Sequence, residues 1–263
     1  MKLLDGTIRL SATDLANHLA CRHLTALNRA VVEKRLGSPP KRADLDLIRE
    51  LGDKHERAYL AHLEAQGLGL SLPPDRESED AAAERTLAAM NSGVDVIVQA
   101  ALRSGRWLGR ADVLRRVATP SRLGPWSYEV YDTKLALETR GGSVLQLCLY
   151  SDLLSGIQGL VPEFMHIVPP RPEFPAESYR VADFAAYYRR VRQRAEEAVD
   201  SPTATPTYPE PVAHCDICNW WKSCDDRRHA DDHLSLVASI SKQQTRELES
   251  RGITTLAALA GEP

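Results

Sequence analysis

Hydrophobic and polar positions along this chain repeat at two different periods, and the change from one to the other divides it. From about Arg42 to Gln66, the residues Ile48, Leu51, His55, Tyr59 and Leu63 recur at helical spacing. That spacing predicts a long helix burying one stripe. Upstream, Ser11-Ala-Thr-Asp14 pairs a serine with an acid three residues on, a helix-start signature. It predicts a helix through about His18 that leads to Cys21, and a second running toward Glu33. Gly37-Ser-Pro-Pro40 ends that pattern, and residues 73–80 read as a loop before another short helix.

The centre switches to β-branched and aromatic residues bounded by glycine or proline. Val94–Leu102, Trp107–Val117 and Trp126–Leu135 read as three successive strands, and Phe164–Val168 as a fourth. Ser143–Leu154 reads as a buried helix and Val181–Val199 as a charged one. This order predicts an α/β fold, a mixed sheet flanked by helices. A proline-rich connector, Ser201–Pro211, then delivers the chain to Cys215. Past Arg228, helices near Lys242–Arg251 and from Thr254 form a hairpin. Its Arg251-Gly-Ile-Thr link resembles a helix–hairpin–helix turn, although a plain hairpin explains it as simply. The expected division is residues 1–228 as one domain and 229–263 as a helical hairpin, the start of a further domain.

Composition narrows the class. Of 263 residues, 43% are apolar and 26% charged, as in an ordinary globular protein. No apolar run reaches the roughly 18 residues of a membrane span. Asp5 and Arg9 interrupt the stretch where a signal peptide would be apolar. A cytoplasmic protein is expected. A net charge of −3 gives no global nucleic-acid signature. Locally, Arg103, Arg106, Arg110, Arg115, Arg116 and Arg122 share a stretch in which Asp112 is the acid. They form either a solvated face or a phosphate-contacting surface.

The candidate chemistry lies in the strand-rich centre. Side chains alternate along a strand, so Asp132 and Lys134 share a face. With Asp112 on the neighbouring strand, two carboxylates and an ammonium converge. Two carboxylates suit Mg²⁺ or Mn²⁺, and phosphodiester hydrolysis uses such a set. Taken alone, Asp-x-Lys is a common tripeptide that more often makes a cross-strand ion pair, and His55 is more often a core histidine. Gln146 and Tyr150 sit four apart on one helix face.

Five cysteines in a chain expected to be cytoplasmic do not suggest disulfides. Cys148 sits in an apolar helical run and reads as core. Cys21 stands alone near the start, whereas Cys215, Cys218 and Cys224 form C-x₂-C-x₅-C near the end. Together they suit a [4Fe–4S] cluster or a zinc ion, and either would staple the two ends of the domain. Trp220 and Trp221 are placed to shield such a centre or to stack on a nucleobase.

Gly52-Asp-Lys-His55, Gly109-Arg-Ala-Asp112, Asp132-Thr-Lys134 and Gln146-Leu-Cys-Leu-Tyr150, in that order, resemble the PD-(D/E)xK nuclease superfamily in its RecB-like branch. The early cysteine with the late triplet resembles that branch's iron–sulfur subset. The resemblance runs from Ser11 to Cys224. It implies a restriction-endonuclease-like core, with His55, Asp112 and Asp132 as ligands of Mg²⁺ or Mn²⁺ and Lys134 as the catalytic lysine. Gln146 and Tyr150 would position substrate, and Cys21, Cys215, Cys218 and Cys224 would hold a [4Fe–4S] cluster. The implied activity is DNA hydrolysis, on single strands or ends, in repair, recombination or defence. The alternatives are an inactive, stapled DNA-binding module of a helicase–nuclease assembly and a zinc-stabilised interaction domain.

Overall fold

A computed structural model describes residues 1–201 and 206–262 of the chain. Residues 202–205 of the expected connector and Pro263 lie outside the described residues. A mixed sheet flanked by helices forms the body, as the alternating elements predict. In chain order its elements are β1 (Lys2–Leu4), β2 (Thr7–Ser11), α1 (Ala12–Ala20), α2 (Arg22–Val32), α3 (Asp46–Ala65), β3 (Leu70–Ser71) and α4 (Glu79–Asn91). There follow β4 (Val96–Ser104), β5 (Trp107–Val117), β6 (Ser127–Thr133), α5 (Gly141–Gln158), β7 (Phe164–Val168), β8 (Glu177–Arg180) and α6 (Val181–Asp200). The C-terminal part contributes α7 (Trp221–Ala230), α8 (Lys242–Ser250) and α9 (Leu256–Ala260). Among the described residues no helix is long and apolar enough to cross a membrane.

Strand β5 is the axis of the sheet. β4 pairs antiparallel along nearly all of one edge, from Trp107 to Arg115. The other edge is shared: β2 pairs in parallel at Trp107 and Leu108, and β6 pairs antiparallel from Val113 to Val117. Between them, Gly109 to Asp112 have no strand partner on that edge among the described residues. β7 continues in parallel from β6, and β8 closes the order antiparallel.

The alternation of faces breaks at one place. Val96, Val98 and Val113 pack with Tyr59 and Leu63 of α3 on one side of the sheet. Ala100 and Leu102, further along β4, and Ala111, two residues before Val113 in β5, pack instead into the larger core with α5 on the other side. The switch falls at Gln99 and Asp112, the two positions facing each other between the pairs Val98–Val113 and Ala100–Ala111. Gln99 has φ 49°, the left-handed region, in the middle of a strand. Such a residue re-phases a strand as a bulge does, and a non-glycine residue held there costs about 1–3 kcal/mol.

The helical stripe of α3 is buried only in its C-terminal half. His55, Tyr59 and Leu63 are buried, whereas Ile48 and Leu51 are 52% and 46% exposed. The sheet ends beneath the helix, and the first two turns overhang. The helix α5 is buried almost all round, including Cys148, whose sulfur meets Met165 at 3.8 Å, as its apolar setting predicts. Four unanticipated strands and α7 complete the elements. α7 runs through the expected boundary at residue 228. The terminal hairpin forms, with Gly252 at φ 82° and Ile253 N–H bonding Leu248 O.

Candidate active site and cysteine cavity

The break in strand pairing opens the place where the acidic residues meet. Asp112 lies at the re-phased point of β5, and its Oδ2 accepts two hydrogen bonds from Thr133, one from the backbone N–H at 2.9 Å and one from the hydroxyl at 3.0 Å. Asp132, one residue before, is 2% exposed. Its Oδ2 lies 2.6 Å from Lys134 Nζ. The Lys134 ammonium is thus the partner of this oxygen. Strand β6 ends at Thr133, but Lys134 N–H still bonds Val168 O at 3.1 Å. The lysine therefore stays in register with the sheet edge.

Burial, and then the facing Asp112 carboxylate, push Asp132 from the ordinary carboxylate range to about 7. Burial disfavours the Lys134 charge, but Asp132 and Asp112 outweigh it and hold the ammonium above its usual value. Without a bound cation Lys134 is thus a fixed positive charge. It is a better electrostatic stabiliser than proton acceptor.

The other expected residues fall around this group with unequal directness. Tyr150 of α5 is buried, and a Cβ on Gly109 would meet its ring at 2.8 Å. Burial, and next the Asp132 and Asp112 charges, raise its hydroxyl. Only glycine at 109 lets the ring approach β5 so closely. Gln146 is half-buried one turn earlier on α5. His55 is anchored elsewhere: its Nε2 lies 2.9 Å from Val168 O, the carbonyl that also takes Lys134 N–H. The ring stacks on Phe174 with centroids 5.8 Å apart. Only Nδ1 remains for an ion. Among the described residues, no three His, Cys, Asp or Glu side chains are gathered as tightly as a single bound metal ion would draw them.

Glu56 was not anticipated. It follows His55 on α3, and its Oε1 accepts from Gln99 Nε2 at 2.6 Å. Burial raises its carboxyl, Gln99 opposes that, and the charges of Asp112, Asp53 and Lys134 reach it. A Gln placed at a strand re-phasing point leaves no mark in a sequence pattern.

The arginine run is mostly neutralised. Arg106 meets Asp200 at 2.6 Å, Arg110 meets Glu77 at 2.9 Å, Arg116 meets Asp95 at 2.6 Å, and Arg103 pairs with Asp80. Arg115 lies over the Tyr131 ring at 4.9 Å. These partners come from other segments, so the solvated, paired face describes the run better than a free phosphate surface.

Cys21, Cys215, Cys218 and Cys224 line one small cavity of about 20 Å³, together with His23 and His214. All are free thiols. Cys21 falls at the break between α1 and α2, where its sulfur caps α2 by accepting Leu24 N–H at 3.4 Å. Cys215 accepts Val212 N–H at 3.5 Å and Cys218 accepts Trp220 N–H at 3.4 Å. Burial, then the neighbouring sulfurs, push Cys224 up to about 11. Trp220 is buried and packs with Leu24 and Cys218, whereas Trp221 is 43% exposed with Arg42 over its ring. Of the two, Trp220 is the one packed into the wall of the cavity. Arg42 Nη1 also donates to Asp216 O at 2.7 Å, linking the cysteine loop to the segment leading into α3.

No protein-family profile and no curated protein matches the chain. In structure it is similar to the archaeal protein described as "Crystal structure of SSO0001", with a TM-score of 0.39 and 14% identity over 84% of this chain and 88% of that one. A likeness of that strength carries no argument about activity.

Proposed function

We propose that this chain is a divalent-metal-dependent deoxyribonuclease of RecB-like type, acting on single-stranded DNA or DNA ends. The observation that carries the reading is Asp132. A carboxylate this buried and facing a second carboxylate stays destabilised as an anion even with the Lys134 ammonium beside it, and a divalent cation would relieve it. The two carboxylates offer oxygen donors, which suit Mg²⁺ or Mn²⁺. Asp112 and Asp132 would hold the ion, with His55 able to add its Nδ1. A bound ion would polarise the phosphodiester and acidify a water.

The chain's own residues supply the rest. Lys134 offsets the charge that develops on the phosphate oxygens. Thr133 fixes Asp112 through two bonds to one oxygen, leaving the other oxygen for the ion. Tyr150 and Gln146 flank the site from α5, where they would orient the strand being cut. The four cysteines line one cavity, and among the described residues they are not drawn together as metal ligands are; we assign them a [4Fe–4S] cluster whose binding would close them around it. Three of the sulfurs accept backbone N–H groups, the kind of contact that stabilises cluster thiolates. Such a centre would join the first helices to the C-terminal loop.

End-labelled single-stranded DNA incubated with Mg²⁺ or Mn²⁺ should be cleaved by the wild type and left intact by Asp112→Asn and by samples in EDTA. Equal cleavage in EDTA would contradict the proposal.

A further inference from the structure

Away from the carboxylate site, side chains of β6, β7 and β8 form a hydrogen-bonded relay that the proposed nuclease leaves unused. His166 of β7 stands opposite Tyr131 of β6 and Ser178 of β8, so the three side chains share one face of the sheet. Glu129, two residues before Tyr131, shares that face, whereas Asp132 alternates to the other. His166 Nε2 lies 2.9 Å from Glu129 Oε2, and His166 Nδ1 lies 2.9 Å from Ser178 Oγ. A carboxylate only accepts, so Nε2 carries the proton and the neutral ring presents its Nδ1 lone pair to the Ser178 hydroxyl. The two groups behind the serine are held in place. His166 and Glu129 are buried. The imidazole stacks on Tyr131, with centroids 4.0 Å apart and 12° between the planes. Glu129 Oε1 accepts Phe164 N–H at 3.1 Å. Ser178 itself is exposed. It lies on the last strand of the sheet, whose outer edge has no partner among the described residues. Such an edge offers unpaired backbone N–H groups.

We propose that Ser178, His166 and Glu129 form a second site, independent of the first, in which Ser178 is a nucleophile toward small acyl esters. A hydroxyl is a weak nucleophile until an adjacent base, itself oriented by a third group, activates it. As Ser178 Oγ bonds to the ester's carbonyl carbon, its proton passes to His166 Nδ1. Glu129 offsets the imidazolium charge through the Nε2–H bond. The carbon–oxygen bond to the alcohol then breaks, and the departing oxygen takes that proton. A water repeats the exchange on the acyl-serine, releasing the acid and restoring the hydroxyl. The ring nitrogens serve in the opposite sense from the serine-protease relay, but roles define such a set, not ring positions. Outward N–H groups of β8 would receive the charge on the carbonyl oxygen. An open sheet edge suits a small acyl group over a long chain.

An alkyl fluorophosphonate, which an activated serine attacks at phosphorus with loss of fluoride, tests this on the full chain apart from DNA cleavage. The wild type should take up the label at Ser178, located by peptide mass spectrometry, and should hydrolyse p-nitrophenyl acetate. Ser178→Ala, a change at an exposed position, should lose both. His166→Asn should slow labelling by about 10²–10⁴-fold, the contribution of a general base. Glu129→Gln, which keeps the side-chain volume, should slow it by about tenfold or more. A folded wild type that is unlabelled at Ser178, or that hydrolyses the ester no faster than Ser178→Ala, would overturn the inference. A folded His166→Asn labelled at the wild-type rate would do the same. Should His166→Asn fail to fold, Glu129→Gln decides, and labelling at the wild-type rate there would overturn it. The nuclease reading stands or falls separately.

Discussion

Thr133 gives both its backbone N–H and its hydroxyl to the same oxygen of Asp112. This clamp spans the gap where β6 has stopped pairing with β5, so it positions Asp112 without a strand ladder. Thr133→Val keeps the shape and the backbone bond while losing the hydroxyl. A hydrogen bond to a charged group contributes about 1.5–3 kcal/mol, and stability should fall by no more than that. The Mn²⁺ concentration for half-maximal cleavage should rise roughly tenfold, following the ~1.4 kcal/mol per decade of binding, while KM for DNA stays unchanged. Thr133→Ser should restore it. An unchanged metal requirement in Thr133→Val would show that the clamp does not position the ligand.

Asp132 makes a pH prediction with a definite sign. Its folded value is raised to about 7, whereas an unfolded aspartate titrates near 3.9. The stability it contributes is therefore fully present below about pH 4 and is lost as pH rises through 7. A cation that needs the carboxylate ionised should act in the opposite direction. Melting temperatures taken with and without Mg²⁺ should show the increment growing from pH 5 to pH 8 in the wild type. In Asp132→Asn both the metal-free decline assigned to this group and the Mg²⁺ increment should be absent. An increment that does not vary with pH would remove Asp132 as the ligand.

Gly109 matters for space and not for conformation. A methyl group there would sit 2.8 Å from the Tyr150 ring and 3.1 Å from Leu153. Gly109→Ala should destabilise the fold by about 1–3 kcal/mol, as overpacking does, and push Tyr150 away from the carboxylates. In a Tyr150→Ala background Gly109→Ala should cost less stability than it does alone, because the ring it would meet is gone. If the single variant melts like the wild type, the close approach is not as tight as described.

The cysteine assignment predicts a coloured protein. Anaerobically purified chain should contain about four iron atoms, the content of one [4Fe–4S] cluster, and absorb in the visible. Cys224→Ser should lose both. A staple closing so long a stretch of chain stabilises by roughly 5 kcal/mol in the chain-entropy account, so the variant's melting temperature should fall by about 10 °C. A colourless wild type containing one zinc would replace the cluster with zinc. A wild type with neither would remove the staple.

Much of this arrangement was legible in the chain, and the parts that were not have physical reasons. Trp107–Val117 and Phe164–Val168 match β5 and β7 at both ends because β-branched residues stop sharply at glycine or proline. β1, β2, β3 and β8 are short edge strands, two to five residues long, whose pattern is too brief to read. The α3 stripe was legible as periodicity, but periodicity does not say how far the sheet extends beneath a helix, and Ile48 and Leu51 overhang it. Asp132 and Lys134 were readable because a two-residue strand period puts them on one face, whereas Asp112 joins them where that period breaks in β5. Glu56 and Gln99 meet only through a left-handed kink in β4, which no spacing rule encodes. The arginine run looked unopposed because Asp80, Asp95, Asp200 and Glu77 reach it from other segments.

The most direct test of the central claim is Mn²⁺ titration and DNA cleavage measured on the same samples of wild type and Asp132→Asn at pH 8, each verified as folded by its melting curve. The account predicts Mn²⁺ binding and strand cleavage together in the wild type, with both lost in the variant. A folded Asp132→Asn protein that binds Mn²⁺ and cuts single-stranded DNA at the parent rate would contradict it.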